Sequence, residues 1–388
     1  MTLGLVAVAL ALAPADGPIT SRDFVVDVPV GPVIGSHRVT GLAGACTSVA
    51  EGSEGADFNP SAYGVRVPYS LDSWDWDLHL DWLILGLGGD IDFENNGKDP
   101  VPGALGVIRA GFDVVVGEVG GGLSISSQEY NAQDASGALK VSSVQGLAGP
   151  GVSFLQSQLA IGVALTIESL KLEHTPAEGE KQTVEYSGLT GTAGVVVRPN
   201  GQPWRAGLTF TAPVRFEQKE GDQDRLGALW LPRSVYRPFR LAMGFSWRWS
   251  FGDTSYNGSW AERRERSIAA TDRRYLLAAL DLVVDGASPA GATGLEGLLA
   301  QELDVAGQSA TLSVRGGVES EVWSDRMILR TGAYLEPSRF DGGSARVHHT
   351  LGAEVRLFPL WRWQIRAATT FDYARDYRNL LVGIGFWH

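Results

Sequence analysis

The chain has 388 residues, enough for two ordinary domains or one large β-barrel. Its net charge of −12 separates it from nucleic-acid binders, which carry basic patches. One cysteine excludes an internal disulfide and a cysteine-based zinc cage, while 49 glycines and 12 tryptophans against three methionines suit strands and turns.

The N-terminus, MTLGLVAVALALAPADG, has an apolar core from Leu3 to Ala13. That core is too short for a spanning helix, which needs about 20 residues. Ala13-Pro14-Ala15 fits a signal-peptidase site, so residues 1–15 read as a signal peptide lacking its charged start, with Asp16 as the new N-terminus. Cys46, in LAGAC, lacks the upstream apolar run that a lipidation site requires. Small and acidic residues then lead to Asn59-Pro60, a turn starter, before any regular pattern begins.

Period-two alternation dominates from residue 74 onward. In WDWDLHLDWLI, Trp74, Trp76, Leu78, Leu80, Trp82 and Ile84 alternate with Asp75, Asp77, His79 and Asp81. FRLAMGFSWRWSF sets Trp247 and Trp249 against Arg240 and Arg248. SATLSVRGGVESEV and WRWQIRAATTFDY do the same, with Arg315 and Glu319 on one polar face and Arg366 on the other. No helix separates side chains this way. Runs of this kind are predicted at 74–88, 104–117, 119–130, 138–146, 152–172, 184–198, 202–218, 237–251, 274–285, 308–322, 326–336, 346–358, 361–374 and 378–388. Most have the 9–11 residues of a transmembrane strand. The polar face carries charges and the other face large aromatics, inside-out for a soluble barrel and right for a lipid-facing one. The reading is therefore all-β: a transmembrane antiparallel β-barrel of about 14 strands over residues 74–388, with residues 16–73 as an N-terminal plug in the lumen.

With an even strand number and both barrel ends on one side, the aromatics Trp74, Trp76, Trp204, Trp247, Trp249, Tyr275, Trp361, Trp363 and Phe386 gather at one membrane interface. Predicted short turns on that side are 117–121, 147–151 and 199–202. Residues 252–273 are a long connection there, with the charged cluster Arg263, Arg264, Glu265, Arg266 as a solvated loop or a docking site. Residues 286–307 break the alternation, and GLEGLLAQEL reads as a short helix in a loop. The chain alternates almost to His388, so its last strand is placed to pair with the first and leave no edge.

The expected lumen-facing polar set is Asp75, Asp77, Asp81, Arg240, Arg248, Arg315, Glu319, Arg330, Glu336, His348, Glu354, Arg356 and Arg366. His348 and His349 are adjacent on a strand, point to opposite faces and cannot share a metal. No esterase elbow, zincin motif or phosphate loop is present, so no enzyme activity, cofactor or metal site is expected.

Residues 35–64, GSHRVTGLAGACTSVAEGSEGADFNPSAYG, resemble the N-terminal region of the outer-membrane long-chain fatty-acid transporter family and its related barrels. The matching positions are Gly41, Ala43, Gly44, Ala45, Glu51, Gly52, Asn59 and Pro60, with Ser61 where the family has alanine. LPRSVYRPFRLAMGFSWRW at 231–249 and MILRTGAYLEPSRFDGG at 327–343 resemble it too, the second through Arg330, Gly332, Ala333, Tyr334, Glu336 and Pro337. The resemblance implies a bacterial outer-membrane barrel plugged by its N-terminal segment. It also implies passive uptake of hydrophobic small molecules, such as fatty acids or hydrocarbons, often by a route through the barrel wall. Gly41, Gly44, Glu51, Gly52, Asn59 and Pro60 would then fix or gate the plug. The partners would be membrane lipid and cargo. Other barrels of the wider superfamily scaffold envelope proteins in secretion, motility or surface-attachment complexes, which is the alternative.

Overall fold

The computed structural model describes residues 16–28, 31–65, 74–85, 91–98, 104–134, 137–176, 180–219, 221–252, 255–259, 273–360 and 363–387. The expected signal peptide, residues 66–73 of the expected plug, Trp361 and the Arg263–Arg266 cluster lie outside them.

Fourteen antiparallel strands form a closed barrel. They are β1 Trp74–Leu85, β2 Ala104–Val116, β3 Val119–Asp134, β4 Gly137–Phe154, β5 Leu159–Pro176, β6 Gln182–Val197, β7 Trp204–Thr211, β8 Arg240–Ser250, β9 Tyr275–Asp285, β10 Thr311–Trp323, β11 Met327–Glu336, β12 Arg346–Leu360, β13 Trp363–Ala374 and β14 Tyr377–Trp387. Pairing of Asn379–Phe386 on β14 with Leu78–Leu85 on β1 closes the ring. Closure leaves no strand edge of the ring facing lipid, where unpaired backbone groups could not be satisfied.

The large exposed apolar side chains, among them Leu80, Trp82, Leu165, Ile167, Phe245 and Leu351, all lie on the outer face. The alternate positions are buried and largely charged. This inverts the soluble pattern because the solvent of the outer face is hydrocarbon.

The predicted turn at 147–151 is not one. Residues Gly137–Phe154 run as one strand, and the reversal comes at Leu155–Gln158. Gly149 and Pro150 suggested a turn, yet the β4–β5 register is the same on either side of them. Proline removes only its own donor. The true turn has no glycine, although Leu155, Gln156 and Ser157 all adopt positive φ.

At one end of the barrel the turns are short, except for 251–274. At the other end the connections are long, and their described parts include residues 91–98, 212–219, 221–239, 286–310 and 337–345. Over that long-loop end lies a small cover. Val214–Phe216 pairs with Ser234–Arg237, which pairs in parallel with Val25–Asp27, which pairs in parallel with Ala292–Thr293. The predicted loop helix is present as α3, Leu295–Ala300, and Glu94 caps it by accepting from the Leu295 and Glu296 amides. Three further short elements lie between Gly35 and Val65: α1 His37–Gly41, α2 Gly52–Ala56 and a 3-10 turn, Pro60–Gly64.

Candidate functional site: the lumen, its N-terminal segment and the chamber above it

Residues 31–65 are almost wholly buried, and their contacts run round the inner wall. The backbone can approach that closely because the wall is lined with glycine where it passes. Gly120, Gly151, Gly162 and Gly194 stand directly opposite one another from β3 to β6, as do Gly207 and Gly244 on β7 and β8, and Gly317 and Gly332 on β10 and β11. A Cβ added at Gly162 would run into the Pro60 carbonyl, at Gly207 into the Thr47 carbonyl, and at Gly317 into the Leu42 backbone. On β9 the same level holds Asp281 instead, whose Oδ2 accepts from the Cys46 and Thr47 amides at 3.0 and 2.8 Å. The segment is thus fitted backbone-to-backbone against most of the ring.

Asn59 holds the turn expected of Asn59-Pro60. Its Oδ1 accepts from the Ser61 amide at 3.1 Å, and its Nδ2 donates to the Thr47 carbonyl and to the wall carbonyl of Val195. Pro60 starts the 3-10 turn, where its missing N–H costs nothing. Gly44 and Gly52 have φ of +75° and +61°, and each backbone lies against a wall side chain, Arg315 and Asp77. Gly41 rests on Arg330.

Charge pins the segment as firmly as shape. Arg38 donates to both oxygens of Glu319 at 3.1 and 3.2 Å and to Glu51 at 3.3 Å. Glu51 also receives Arg205 at 2.6 Å. Glu319 continues to Arg330 at 2.7 Å, Arg330 to Glu354 at 2.7 Å, and Glu354 to Arg366 at 2.5 Å. Asp77 accepts from the Ser53 amide at 3.1 Å. Glu336 joins Arg346 and His348, which also meets Asp372 at 2.9 Å. Arg356 faces Asp325 and Glu321. Asp75, Asp81 and Arg248 are buried on the same inner face, and Arg240, partly buried, pairs with Asp285 at 2.7 Å. Buried charges in such numbers are tolerable because many are paired with an opposite charge, as in the chain from Glu51 to Arg366.

His37, on α1, sits 3.2 Å from each of Asp81, Glu54 and Glu354. Burial alone lowers an imidazole pKa, but these carboxylates outweigh it and raise His37 to about 10. A folded value above the ordinary 6.5 contributes stability that is complete below about 6.5 and is lost as pH rises through about 10. Urea midpoints in detergent should therefore fall between pH 7 and 9.5, and His37→Gln should flatten that fall. Equal slopes in the two proteins would refute the assignment.

Residues 256 and 257, between β8 and β9, also reach the inner wall. Tyr256 and Asn257 are buried, the Arg205 guanidinium lies 3.9 Å over the Tyr256 ring, and Asn257 accepts from Arg205 at 2.8 Å. Of the interface aromatics, Trp74, Trp247 and Trp249 are exposed, Trp76 and Phe386 are half-buried, and Trp363 begins β13. Tyr275 is a correction: it points inward and donates to Glu319 at 2.8 Å. The alternation fixes its face, since Leu276 opposite is the outward one. His37, Arg38, Arg205 and Asp281 were not foreseen, because nothing local marks a buried charge until the register places its partner beside it.

Above the segment, towards the long loops, two cavities adjoin. One, of about 170 Å³, is lined by Arg109, Arg237, Arg240 and Arg315 among serines, threonines and glutamines. The other, of about 70 Å³, is lined by Val26, Val28, Ile34, Phe93, Tyr130, Val141, Leu170 and Leu295. Pro32, Ile34, Gln128, Ser143 and Arg237 line both, so they form one two-part chamber. Three of its arginines face carboxylates: Arg109 meets Asp57, Arg237 meets Glu168 at 3.0 Å, and Arg240 meets Asp285. Arg315 is 3% exposed, and among the described residues its one hydrogen bond is from Nε to Ser313 at 3.3 Å. The ladders joining β2, β3 and β4 are unbroken. Beside the chamber, the register on β6 shifts by one residue between its pairing with β7 at Thr192–Thr211 and its pairing with the following strand, Val214–Gln218, at Ser187–Glu217.

No family model and no curated protein matches the chain. Among solved structures it is similar to a Pseudomonas aeruginosa FadL homologue, at 14% identity and a TM-score of 0.53, over 92% of this chain and 98% of that one. It is similar to a TodX mutant described as a monoaromatic hydrocarbon channel, at 12% identity and 0.51, over 92% and 99%. It is also similar to the Ralstonia pickettii toluene transporter TbuX, at 11% and 0.50, over 89% and 98%. At such identities the likeness establishes architecture. In fold, the chain is a closed 14-stranded barrel similar to the outer-membrane barrels of the FadL type.

Proposed function

We propose that the protein is a passive outer-membrane channel for hydrophobic small molecules, and that its cargo is apolar with a carboxylate head, as in long-chain fatty acids. The observation that carries the choice is the two-part chamber: an apolar pocket opening onto Arg315, which neighbours Asp281 and Asp285 but hydrogen-bonds to neither. A neutral hydrocarbon would add no contact to that guanidinium, while a carboxylate would accept a charge-assisted bond from it. The similar structures of a toluene transporter and a monoaromatic hydrocarbon channel support the broader reading.

Losing a hydrogen bond to a charged group costs about 1.5–3 kcal/mol, roughly ten- to a hundredfold in affinity. Arg315→Met should weaken binding of a fluorescent fatty acid by that factor while leaving a neutral aromatic unaffected. Equal binding by both proteins would sink the carboxylate assignment. A deletion strain that takes up fatty acids and hydrocarbons normally would sink the channel itself.

One observation favours a second reading, a non-transporting barrel that scaffolds envelope proteins. Below the chamber, residues 31–65 lie fitted against a glycine-lined wall, as a structural filling would. Co-purification of a stoichiometric envelope protein, with uptake unimpaired in the deletion strain, would decide for it.

A further inference from the structure

The N-terminal segment does more than fill the lumen. Residues 16–28 lie outside it, across the long-loop mouth. Val25–Asp27 is the middle strand of the cover, with Ser234–Arg237 on one side and Ala292–Thr293 on the other. Gly17 and Pro18 pair with Leu303 and Glu302, and the Ile19 amide donates to the Gln301 carbonyl at 2.8 Å. Arg22 reaches Asp224 at 2.8 Å. Asp27 accepts from Arg339 and from Ser288, at 2.8 and 2.7 Å. Every one of these partners belongs to a loop of the outer end.

Two of the residues held there, Val26 and Val28, line the apolar half of the chamber. We infer that residues 16–28 are a strap over the outer mouth, and that its release opens the chamber to the outside. Three features fit a strap made to come away. Its ladders are short, three residue pairs on one side and two on the other. Its anchors include polar groups that are partly exposed, such as Arg22 and Asp224. Its ladders are made with loop segments rather than with the fourteen wall strands, so its release need not disturb the wall.

The chain has a single cysteine, and Cys46 is buried, with burial pushing its pKa up to about 12. It is therefore silent to thiol reagents, and introduced cysteines report alone. Thr20→Cys, on the exposed strap, should react with a membrane-impermeant maleimide on intact cells. Reaction only after permeabilisation would overturn the placement. Ser143→Cys, in the chamber, should react slowly with a charged methanethiosulfonate. Adding Asp27→Ala, which removes the Arg339 and Ser288 contacts, should accelerate it at least tenfold. The milder Arg22→Ala should act in the same direction if Asp27→Ala does not fold. Unchanged rates in a folded variant would overturn the inference. The inference rests on the channel reading only for what the opening is used for. Accelerated labelling in a protein that transports nothing would support the strap and remove the channel.

Discussion

Gly162→Val is expected to abolish assembly of the native barrel. The new side chain would sit where the Pro60 carbonyl and the Ser61 amide now lie. Overpacking costs about 1–3 kcal/mol even where neighbouring side chains can give way. Here the neighbour is backbone, held by the Asn59 bonds to Thr47, Ser61 and Val195, so it cannot move without losing them. The strand tolerates valine, a good β-former, so the wall itself is not at fault. Gly146→Val is the control, because nothing lies within 4 Å of its new Cβ. Heat-modifiable migration on gels should be lost for Gly162→Val and kept for Gly146→Val. If both migrate as wild type with intact ion-impermeability, the segment is not seated on the wall.

Glu319→Leu should destabilise the protein by about 3–5 kcal/mol, the usual result of removing one partner from a buried charge network. Glu319 accepts from Arg38, Arg330 and Tyr275. Its loss leaves two guanidinium groups facing each other with less opposing charge. Adding Arg38→Met should recover part of the loss, because the two residues contact each other and their effects are not additive. Urea unfolding in detergent micelles measures both. Wild-type stability for the single variant would mean that water, rather than the carboxylate, balances these arginines.

The wall was legible in the sequence because one physical rule writes it. Side chains alternate between lipid and lumen, so WDWDLHLDWLI declares its faces without tertiary information. The turn at Leu155–Gln158 was hidden by a stronger local signal, Gly149-Pro150, which the strand absorbs. The lumen was legible only by halves. Glu319, Arg330 and Glu354 could be assigned to the inner face, but their order as a chain of pairs depends on register. The glycine row was out of reach for the same reason. Gly120, Gly151, Gly162 and Gly194 look like ordinary strand glycines until pairing sets them opposite one another.

The cover at one end and the start of β1 at the other together define a thread passing through a ring. The chain lies at the long-loop mouth at Val25–Asp27, follows the inner wall to Val65, and begins the wall at Trp74 at the opposite end. The same segment is therefore both the filling of the ring and the tie between its two ends, so a change that loosens one end bears on the other through residues 31–65.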